Sequence, residues 1–242
     1  MKEKNFRIIP RLDIKSEKLI KTINLEGHRI VGLPEEKIKD YYTGGADEIF
    51  LKDTFASLYN VKIEKKFFNK ITKNIFIPIL MGGGIKSIDD ANSFFMNGAD
   101  KVFINTAFCS NLSLIQKLVE IYGSQSIIGE VEIKKIKDNK WEVYNKSGRE
   151  PTGLDASDWI HKLEQCGVGE VIVISIDNEG TNKGLDFDFI SNFKNKLQIP
   201  LIYGGGLRNT NDLNKLKQNY DCQGITTASY LHYNIGKILD LK

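Results

Sequence analysis

Short hydrophobic runs alternate with longer amphipathic segments along the whole chain. The short runs are rich in β-branched residues, and the longer segments have the three- and four-residue spacing of helices. One helix begins with a capping box of Ser87 and Asp90, carries Ala91 and Phe94 on one face, and stops at Gly98. Strands that alternate with helices predict a parallel sheet. The eight strand-like runs are Arg7–Leu12, Ile49–Leu51, Phe76–Leu80, Lys101–Ile104, Ser126–Val131, Val171–Ser175, Pro200–Tyr203 and Gly224–Thr226.

The order of these elements occurs twice in the sequence. The segment IPILMGGGIKS begins at Ile77, and IPLIYGGGLRN begins at Ile199, which is 122 residues later. A repeat of this length indicates a duplicated structural unit. The 242 residues also match the usual length of an eight-stranded barrel. We therefore expect one α/β domain, a single (β/α)8 TIM barrel over residues 1–242, built from half-barrels of about residues 1–120 and 121–242.

Composition and charge narrow the possible partners. The chain has 34 basic and 31 acidic residues, a balance too even to predict a nucleic-acid or membrane partner. The start of the chain lacks a signal-peptide pattern, and no apolar run is long enough to span a membrane, so we expect a cytoplasmic protein. The three cysteines lie far apart and predict no disulfide or zinc site. The three histidines, His28, His161 and His232, also lack the spacing of metal ligands. We therefore expect no cofactor.

Two glycine triplets, Gly82–Gly84 and Gly204–Gly206, each follow an apolar run and precede a helix. Glycine lets backbone N–H groups approach an anion, and the helix start adds partial positive charge. One such triplet alone would more often be only a tight turn. Two at equivalent strand ends predict two phosphate sites and a substrate with a phosphate at each end. The expected phosphate-binding residues are Gly83, Gly84, Asn105 and Thr106 at the first site, and Gly180, Thr181, Gly205, Gly206, Ala228 and Ser229 at the second.

Two carboxylates, Asp13 and Glu132, end the first and fifth strand-like runs. These strands face each other across an eight-stranded ring, so both side chains are expected in the mouth between the phosphate sites. Opposed carboxylates suit general acid and general base catalysis. Alternatively, each caps a loop or pairs with Lys15 or Lys134 on the rim. Supporting substrate-binding candidates are Asp53, near the end of the second strand, and Lys21, in the loop after the first.

Motifs spread over nearly the whole chain resemble the cyclase subunit of imidazole glycerol phosphate synthase, the HisF family of histidine biosynthesis. They are RIIPRLDIK, IPILMGGGIKSIDDA, NGADKVFINTA, YGSQSII, WEVY, GREPTGLDA, IDNEGT and TASYLH. The resemblance implies a lyase-type enzyme. In its reaction, ammonia attacks a bis-phosphorylated formimino-aminoimidazole carboxamide ribonucleotide and an imidazole ring closes. The products would be imidazole glycerol phosphate and an aminoimidazole carboxamide ribonucleotide.

The resemblance also implies a partner and further residue roles. A separate glutaminase subunit would dock at the lower face of the barrel and supply ammonia through its interior. Asp13 would be one acid–base residue, and Glu132 would occupy the place of the other. Asp100 matches an interface position. A charged ring that guards the ammonia entrance, and that is physically reasonable only if its members pair, would consist of Arg7, Glu48, Lys101 and Glu170.

Several residues depart from the family pattern. The family has aspartate where this chain has Glu132 and Glu179, serine at Gly204 and threonine at Ile174. The extra methylene of a glutamate moves its carboxylate by about 1 Å, and a misplacement on that scale can reduce a rate about 100-fold. The stretch LIKTINLEGHRIVGLP resembles a paralogous group found with surface-polysaccharide genes. The alternative function is therefore an ammonia-conducting partner in amidation of a sugar, with weak or no cyclase activity.

Overall fold

The computed structural model of the chain describes residues 6–59, 64–193 and 197–242. Its first half contains six strands, and its helices lie between or after them. In chain order these elements are β1 (Arg7–Lys15), β2 (Lys18–Ile23), β3 (Glu26–Gly32), α1 (Pro34–Thr43), β4 (Ile49–Asp53), α2 (Ala56–Tyr59), α3 (Lys65–Thr72), β5 (Ile79–Gly82), α4 (Ile88–Phe95), β6 (Lys101–Ile104), α5 (Thr106–Ser110) and α6 (Leu112–Tyr122).

The second half repeats this plan, starting from a long strand that continues into a hairpin. Two short 3-10 helices also occur, at Ser124–Ser126 and Ile238–Leu241. The remaining elements are β7 (Ile127–Lys137), β8 (Lys140–Asn145), β9 (Glu150–Asp155), α7 (Ala156–Gln165), β10 (Glu170–Ser175), α8 (Phe187–Asn192), β11 (Leu201–Gly204), α9 (Thr210–Asn219), β12 (Gly224–Thr227) and α10 (Ser229–His232).

Eight strands close into a parallel barrel in the order β1, β4, β5, β6, β7, β10, β11 and β12, and β12 pairs again with β1. This arrangement confirms the expected (β/α)8 TIM barrel. The third and seventh strands begin at Ile79 and Leu201, later than the predicted starts at Phe76 and Pro200. Pro78 and Pro200 immediately precede these strands, and proline cannot donate a hydrogen bond to a neighbouring strand.

Inward-facing side chains fill the middle of the barrel with an apolar layer. Successive residues of a strand point to opposite faces, so every second residue faces the interior. The rings of Phe50 and Phe103 meet in this layer with their centroids 4.5 Å apart. This inner cluster is separate from the larger core that contains Phe68 and Phe94 on helices α3 and α4. Its members are Ile9, Phe50, Leu80, Phe103, Ile128, Ile172, Ile174 and Ile202.

The helix ends have the predicted chemistry. Ser87 Oγ accepts a hydrogen bond from Asp90 N at 3.1 Å, which supplies one of the unpaired N–H groups of α4 with an acceptor. Helix α4 ends at Phe95, three residues before the predicted stop, and the chain then turns at Gly98 with a φ of 97°. Within the described ranges, no helix is long and apolar enough to cross a membrane.

Two hairpins, β2–β3 and β8–β9, extend from the carboxyl ends of β1 and β7. The prediction that Lys21 lies in a loop is therefore wrong, because Lys21 is part of β2 and faces Arg29 of β3 in the strand register. The hairpin turns approach each other above the barrel. A Cβ atom placed on Gly148 would lie 2.8 Å from Cδ1 of Leu25. The turns of the two hairpins therefore contact each other and cover the mouth of the barrel.

The two glycine turns make equivalent contacts, which supports a duplicated chain. A Cβ atom on Gly83 would lie 2.3 Å from the carbonyl oxygen of Asp53, and one on Gly205 would lie 2.7 Å from that of Ser175. Both members of the second pair follow the first by 122 residues. The backbone at each turn therefore packs too closely for any side chain. The division into half-barrels at residue 120 stays a prediction.

We expect Gly205→Ala to destabilise the fold much more than Gly45→Ala. The two glycines have similar φ angles, 99° and 89°, but a Cβ atom on Gly45 meets nothing within 4 Å. Both substitutions therefore place alanine at a positive φ, and only Gly205→Ala also creates a clash with the backbone. Urea unfolding should show an additional loss of about 2 kcal/mol or more for Gly205→Ala. Equal losses in the two variants would contradict the close approach.

Candidate active site

A cavity of about 260 Å³ lies beside the first glycine turn, at the carboxyl ends of the strands. It is lined by the turn itself, by the end of β4, by the start of α5 and by two inward residues of β7. The structure thus brings the first predicted phosphate site together with one of the two predicted carboxylates. The predicted residues that line the cavity are Asp53, Gly83, Gly84, Asn105, Thr106 and Glu132.

Three donors hold the fully buried carboxylate of Glu132. Lys52 Nζ donates to one oxygen at 2.8 Å. Asn105 Nδ2 and the backbone N–H of Gly148 donate to the other, at 3.0 Å and 2.8 Å. Glu132 therefore does not pair with Lys134, whose ammonium group lies over the ring of Tyr144. The contact with Gly148 also shows that the β8–β9 turn is part of the site.

Lys52 and Glu130 also line this cavity, and the sequence analysis missed both. The ammonium group of Lys52 bridges two carboxylates, with Glu130 at 2.7 Å and Glu132 at 2.8 Å. Glu130 lies two residues before Glu132 on β7, and this spacing placed it on the same face of the strand. Lys52 comes from β4, which is not adjacent to β7 in the barrel, so its contact with them could not be read from local pattern.

Asp13 lies in a neighbouring buried cluster and is absent from the residues that line this cavity. Arg11 Nη2 contacts Asp13 at 3.1 Å and Glu179 at 2.7 Å, and Lys21 Nζ also pairs with Glu179. Burial opposes ionisation of Asp13, but Arg11 and Lys21 beside it hold its pKa below the ordinary value. Asp13 therefore pairs with Arg11 rather than with Lys15, and it is held as an anion.

The second glycine turn is also closely covered. A Cβ atom on Gly206 would lie 2.3 Å from the carbonyl oxygen of Gly184, and one on Gly180 would lie 2.2 Å from that of Thr22 in the β2–β3 hairpin. Thr181 Oγ1 donates within its own turn, to Asn178 O at 2.8 Å. Ala228 and Ser229 are buried at the start of α10.

Several buried polar atoms near this second turn have no hydrogen-bond partner among the described residues. They include Ser229 Oγ at the start of α10, after the strand adjacent to β11, and Thr22 Oγ1 in the β2–β3 hairpin. An unpaired buried hydroxyl costs about 1–3 kcal/mol, so such atoms commonly serve a ligand or water. Their presence fits an anionic group at the predicted second phosphate site. In the described part of the chain, no group of three or more His, Cys, Asp or Glu side chains could hold a metal ion.

A ring of charges closes the opposite, amino-terminal end of the barrel. Arg7 contacts Glu48 at 2.6 Å and also Glu170, and Lys101 contacts Glu48 at 3.0 Å and Glu170 at 3.9 Å. These four residues are therefore mutually paired, as expected for buried charges. Nearby, Asp100 is exposed and accepts a hydrogen bond from Ile79 N at 2.8 Å, so it also caps the start of β5.

Residues 7–237 match the family model described as histidine biosynthesis protein. A relative from Legionella pneumophila, named imidazole glycerol phosphate synthase subunit HisF, is 43% identical over 87% of this chain and 99% of its own length. Proteins with the same name from Dehalococcoides mccartyi and Streptococcus mutans are 36% and 34% identical, each over 98% of this chain and 94% of their own. The chain belongs to the HisF family.

Two of the departures from the HisF pattern are coupled in space. A Cβ atom on Gly204 would lie 2.6 Å from Cδ1 of Ile174 and 2.5 Å from Cγ2 of Thr226. Ile174 therefore occupies the space that a side chain at position 204 would need. The resemblance implies threonine and serine at these two positions, and this chain replaces the pair with one large apolar residue and one glycine.

His232 is a further buried residue that the sequence analysis did not assign to the site. Its Nδ1 contacts the hydroxyl of Tyr41 at 2.5 Å, and its Nε2 is buried without a partner among the described residues. Burial lowers the pKa of His232 to about 3, and the positive charges of Lys21 and Arg11 act in the same direction. This HisF-family chain therefore keeps His232 neutral throughout the physiological pH range.

Replacement of this histidine should change how stability depends on pH. The unfolded chain binds a proton at an ordinary histidine pKa of about 6.5, whereas folded His232 does not, so wild-type stability falls as pH decreases below 6.5. Relative to His232→Gln, the wild type should lose about 1 kcal/mol between pH 6.5 and 5.5 in urea unfolding. A constant difference between the two proteins over this range would show that His232 titrates normally.

Proposed function

We propose that this chain is the cyclase subunit of an imidazole glycerol phosphate synthase in histidine biosynthesis. With ammonia, it would convert a bis-phosphorylated formimino-aminoimidazole carboxamide ribonucleotide into imidazole glycerol phosphate and an aminoimidazole carboxamide ribonucleotide. The observation that carries the proposal is the cavity that joins the first glycine turn to Glu132, in a chain that aligns with HisF over nearly its whole length.

The two glycine turns would bind the terminal phosphates of this substrate. At the first turn, Gly83 and Gly84 border the cavity, and the start of α5 at Thr106 lies opposite. At the second turn, Ser229 Oγ has a free bonding position for a phosphate oxygen. Backbone N–H groups and hydroxyls are suitable partners for phosphate oxygens. The substrate would thus span the mouth, with its reacting atoms above the buried carboxylates.

Asp13 and Glu132 would transfer protons as ammonia adds and the ring closes. Their surroundings differ: Asp13 is paired with Arg11, whereas Glu132 is shared by Lys52, Asn105 and Gly148. Two opposed carboxylates with different partners suit one general acid and one general base. The hairpin turns above them would have to part for substrate entry and would then exclude water.

A glutaminase subunit would supply ammonia at the amino-terminal face, beneath the ring of Arg7, Glu48, Lys101 and Glu170. The ring lies at the entrance to the barrel interior, directly below the apolar layer, where an uncharged molecule is favoured over an ion. We expect the purified chain to form a 1:1 complex with a glutaminase from its own cell in size-exclusion chromatography. Failure of any glutaminase to co-elute would contradict this partner.

We expect Asp13→Asn to reduce ring closure about 1,000-fold while the affinity for substrate changes by only a few fold. The amide keeps the shape of the side chain but removes the proton-accepting oxygen, and such a group contributes about 10²–10⁴ in rate. Turnover of the family substrate with ammonium salt measures the effect. Asp89→Asn, an exposed residue of α4, is the control and should retain full activity. Unchanged rates for Asp13→Asn would disprove its acid–base role.

A second candidate function is an ammonia-conducting partner in amidation of a surface-polysaccharide sugar, with weak or no cyclase activity. The observation that favours it is that both carboxylate oxygens of Glu132 already accept hydrogen bonds from the protein itself. The contact between Ile174 and Gly204 also alters the rim. Both features involve residues at which the sequence departs from the HisF pattern.

Turnover by the chain alone, with ammonium salt and no partner, separates the two functions. Normal turnover would exclude a conduit without chemistry. If the wild type is inactive and Glu132→Asp restores turnover, the longer side chain is what disables the cyclase. If both proteins are inactive while a complex with glutaminase still forms, the conducting function is supported and the cyclase proposal is wrong.

A further inference from the structure

Lys52, Glu130 and Glu132 form a buried triad of one ammonium group and two carboxylates at the cavity. Their side chains are 6%, 2% and 0% exposed. The ammonium group lies 2.7 Å from one carboxylate and 2.8 Å from the other. All three residues line the same cavity as the first glycine turn. The triad therefore adjoins the space in which a ligand would bind.

The formal charges of this triad do not balance. Two ionised carboxylates and one ammonium group carry a net charge of −1 in a place from which water is nearly excluded. The neighbouring cluster offers no surplus cation, because Arg11 and Lys21 there face Asp13 and Glu179 in equal number. An uncompensated buried charge is costly, and proteins commonly avoid it by binding a proton.

Glu130 is the better position for that proton. Glu132 accepts hydrogen bonds from Lys52, Asn105 and Gly148. In the described part of the chain, the hydrogen bonds give Glu130 only one donor, Lys52. Each donor favours the ionised form of the carboxylate that it contacts. The proton should therefore reside on the carboxylate with fewer donors.

Burial and the neighbouring carboxylate of Glu132 favour the proton on Glu130, whereas the cations of the surrounding strands oppose it. Burial is the largest influence on Glu130 and raises its pKa to about 7, and the negative charge of Glu132 acts in the same direction. Lys52 on β4 and Arg11 on β1 oppose the rise. Other inward residues of the neighbouring strands, such as Phe103 on β6 and Ile172 on β10, belong to the apolar inner cluster and carry no charge.

We propose that Glu130 is the proton-carrying carboxyl group of this site. The triad holds one exchangeable proton, on Glu130, and presents it to a molecule bound in the cavity. Lys52 holds both carboxylates in position, so that Glu130 acts as a general acid beside Glu132. In the cyclase reaction, and resting on that proposed function, Glu130 would protonate a departing group and would recover a proton from the added ammonia nitrogen, which loses protons as the ring closes.

Titration of the protein followed by carbon NMR, with glutamate labelled at its side-chain carboxyl carbon, tests the proposal directly. We expect one glutamate resonance to titrate near pH 7 and to be missing in Glu130→Gln. Glu120→Gln, which changes an exposed residue of α6, is the matched control and should keep the resonance. Glu170 at the entrance ring also has a pKa raised by burial, so the assignment depends on these variants. Persistence of the resonance in Glu130→Gln, or lack of any glutamate that titrates above about pH 6, would overturn the proposal.

A second variant covers the case in which Glu130→Gln fails to fold. Lys52→Met removes the cation that favours ionisation, so the same resonance should titrate at least one pH unit higher. An unchanged midpoint would contradict the role of Lys52 and, with it, the triad.

A kinetic measurement adds a readout that tests the function of the proton. With ammonium salt and the family substrate, wild-type turnover should fall above about pH 7, and Glu130→Gln should be at least tenfold slower at neutral pH without that fall. Normal turnover by Glu130→Gln would show that the proton is not used. If the wild type has no turnover, the cyclase proposal fails, while the NMR titration still decides where the proton resides.

Discussion

The pairing of charged side chains inside the barrel is the interaction on which the site depends. Seven ionisable residues, almost fully shielded from solvent, lie above a layer of isoleucine, leucine and phenylalanine. Isolated ions in such a place would cost several kcal/mol each, so their positions are fixed by their partners. They are Arg11, Asp13, Lys21, Lys52, Glu130, Glu132 and Glu179.

This pairing links the fold to the proposed chemistry. The inward positions of a closed barrel converge, so that residues from non-adjacent strands, such as Lys52 and Glu130, come within hydrogen-bond distance. The hairpins then complete the enclosure: Gly148 donates to Glu132, and Lys21 pairs with Glu179. The carboxylates of Glu132 and Glu179 are consequently held by residues of both the barrel strands and the hairpins. Separation of the hairpins for substrate entry would change the hydrogen bonds of the same groups that are proposed to transfer protons.

Much of the barrel could be predicted, because its signals are local or repeated. The alternation of strands and helices, and the repeated glycine triplets ahead of Ile85 and Leu207, indicated eight strands and two equivalent turns. Strand order predicted that Asp13 and Glu132 face the mouth of the barrel, but not that Arg11 holds Asp13 in a separate cluster outside the cavity that Glu132 lines. The hairpins were not predicted, because their strands are only six or seven residues long and neither β3 nor β9 contains a buried residue. Lys52 was missed because its partner Glu130 is 78 residues away, and only the closed barrel brings them together.

A double-mutant cycle on Lys52 and Glu132 tests most directly whether buried pairing holds the site. Unfolding free energies of the wild type, Lys52→Met, Glu132→Gln and the double variant would be measured at neutral pH. If the pair is as enclosed as the structure indicates, the coupling energy should be about 2 kcal/mol or more, and the double variant should be more stable than additivity predicts. A coupling energy below about 0.5 kcal/mol, typical of a solvent-exposed pair, would contradict the account.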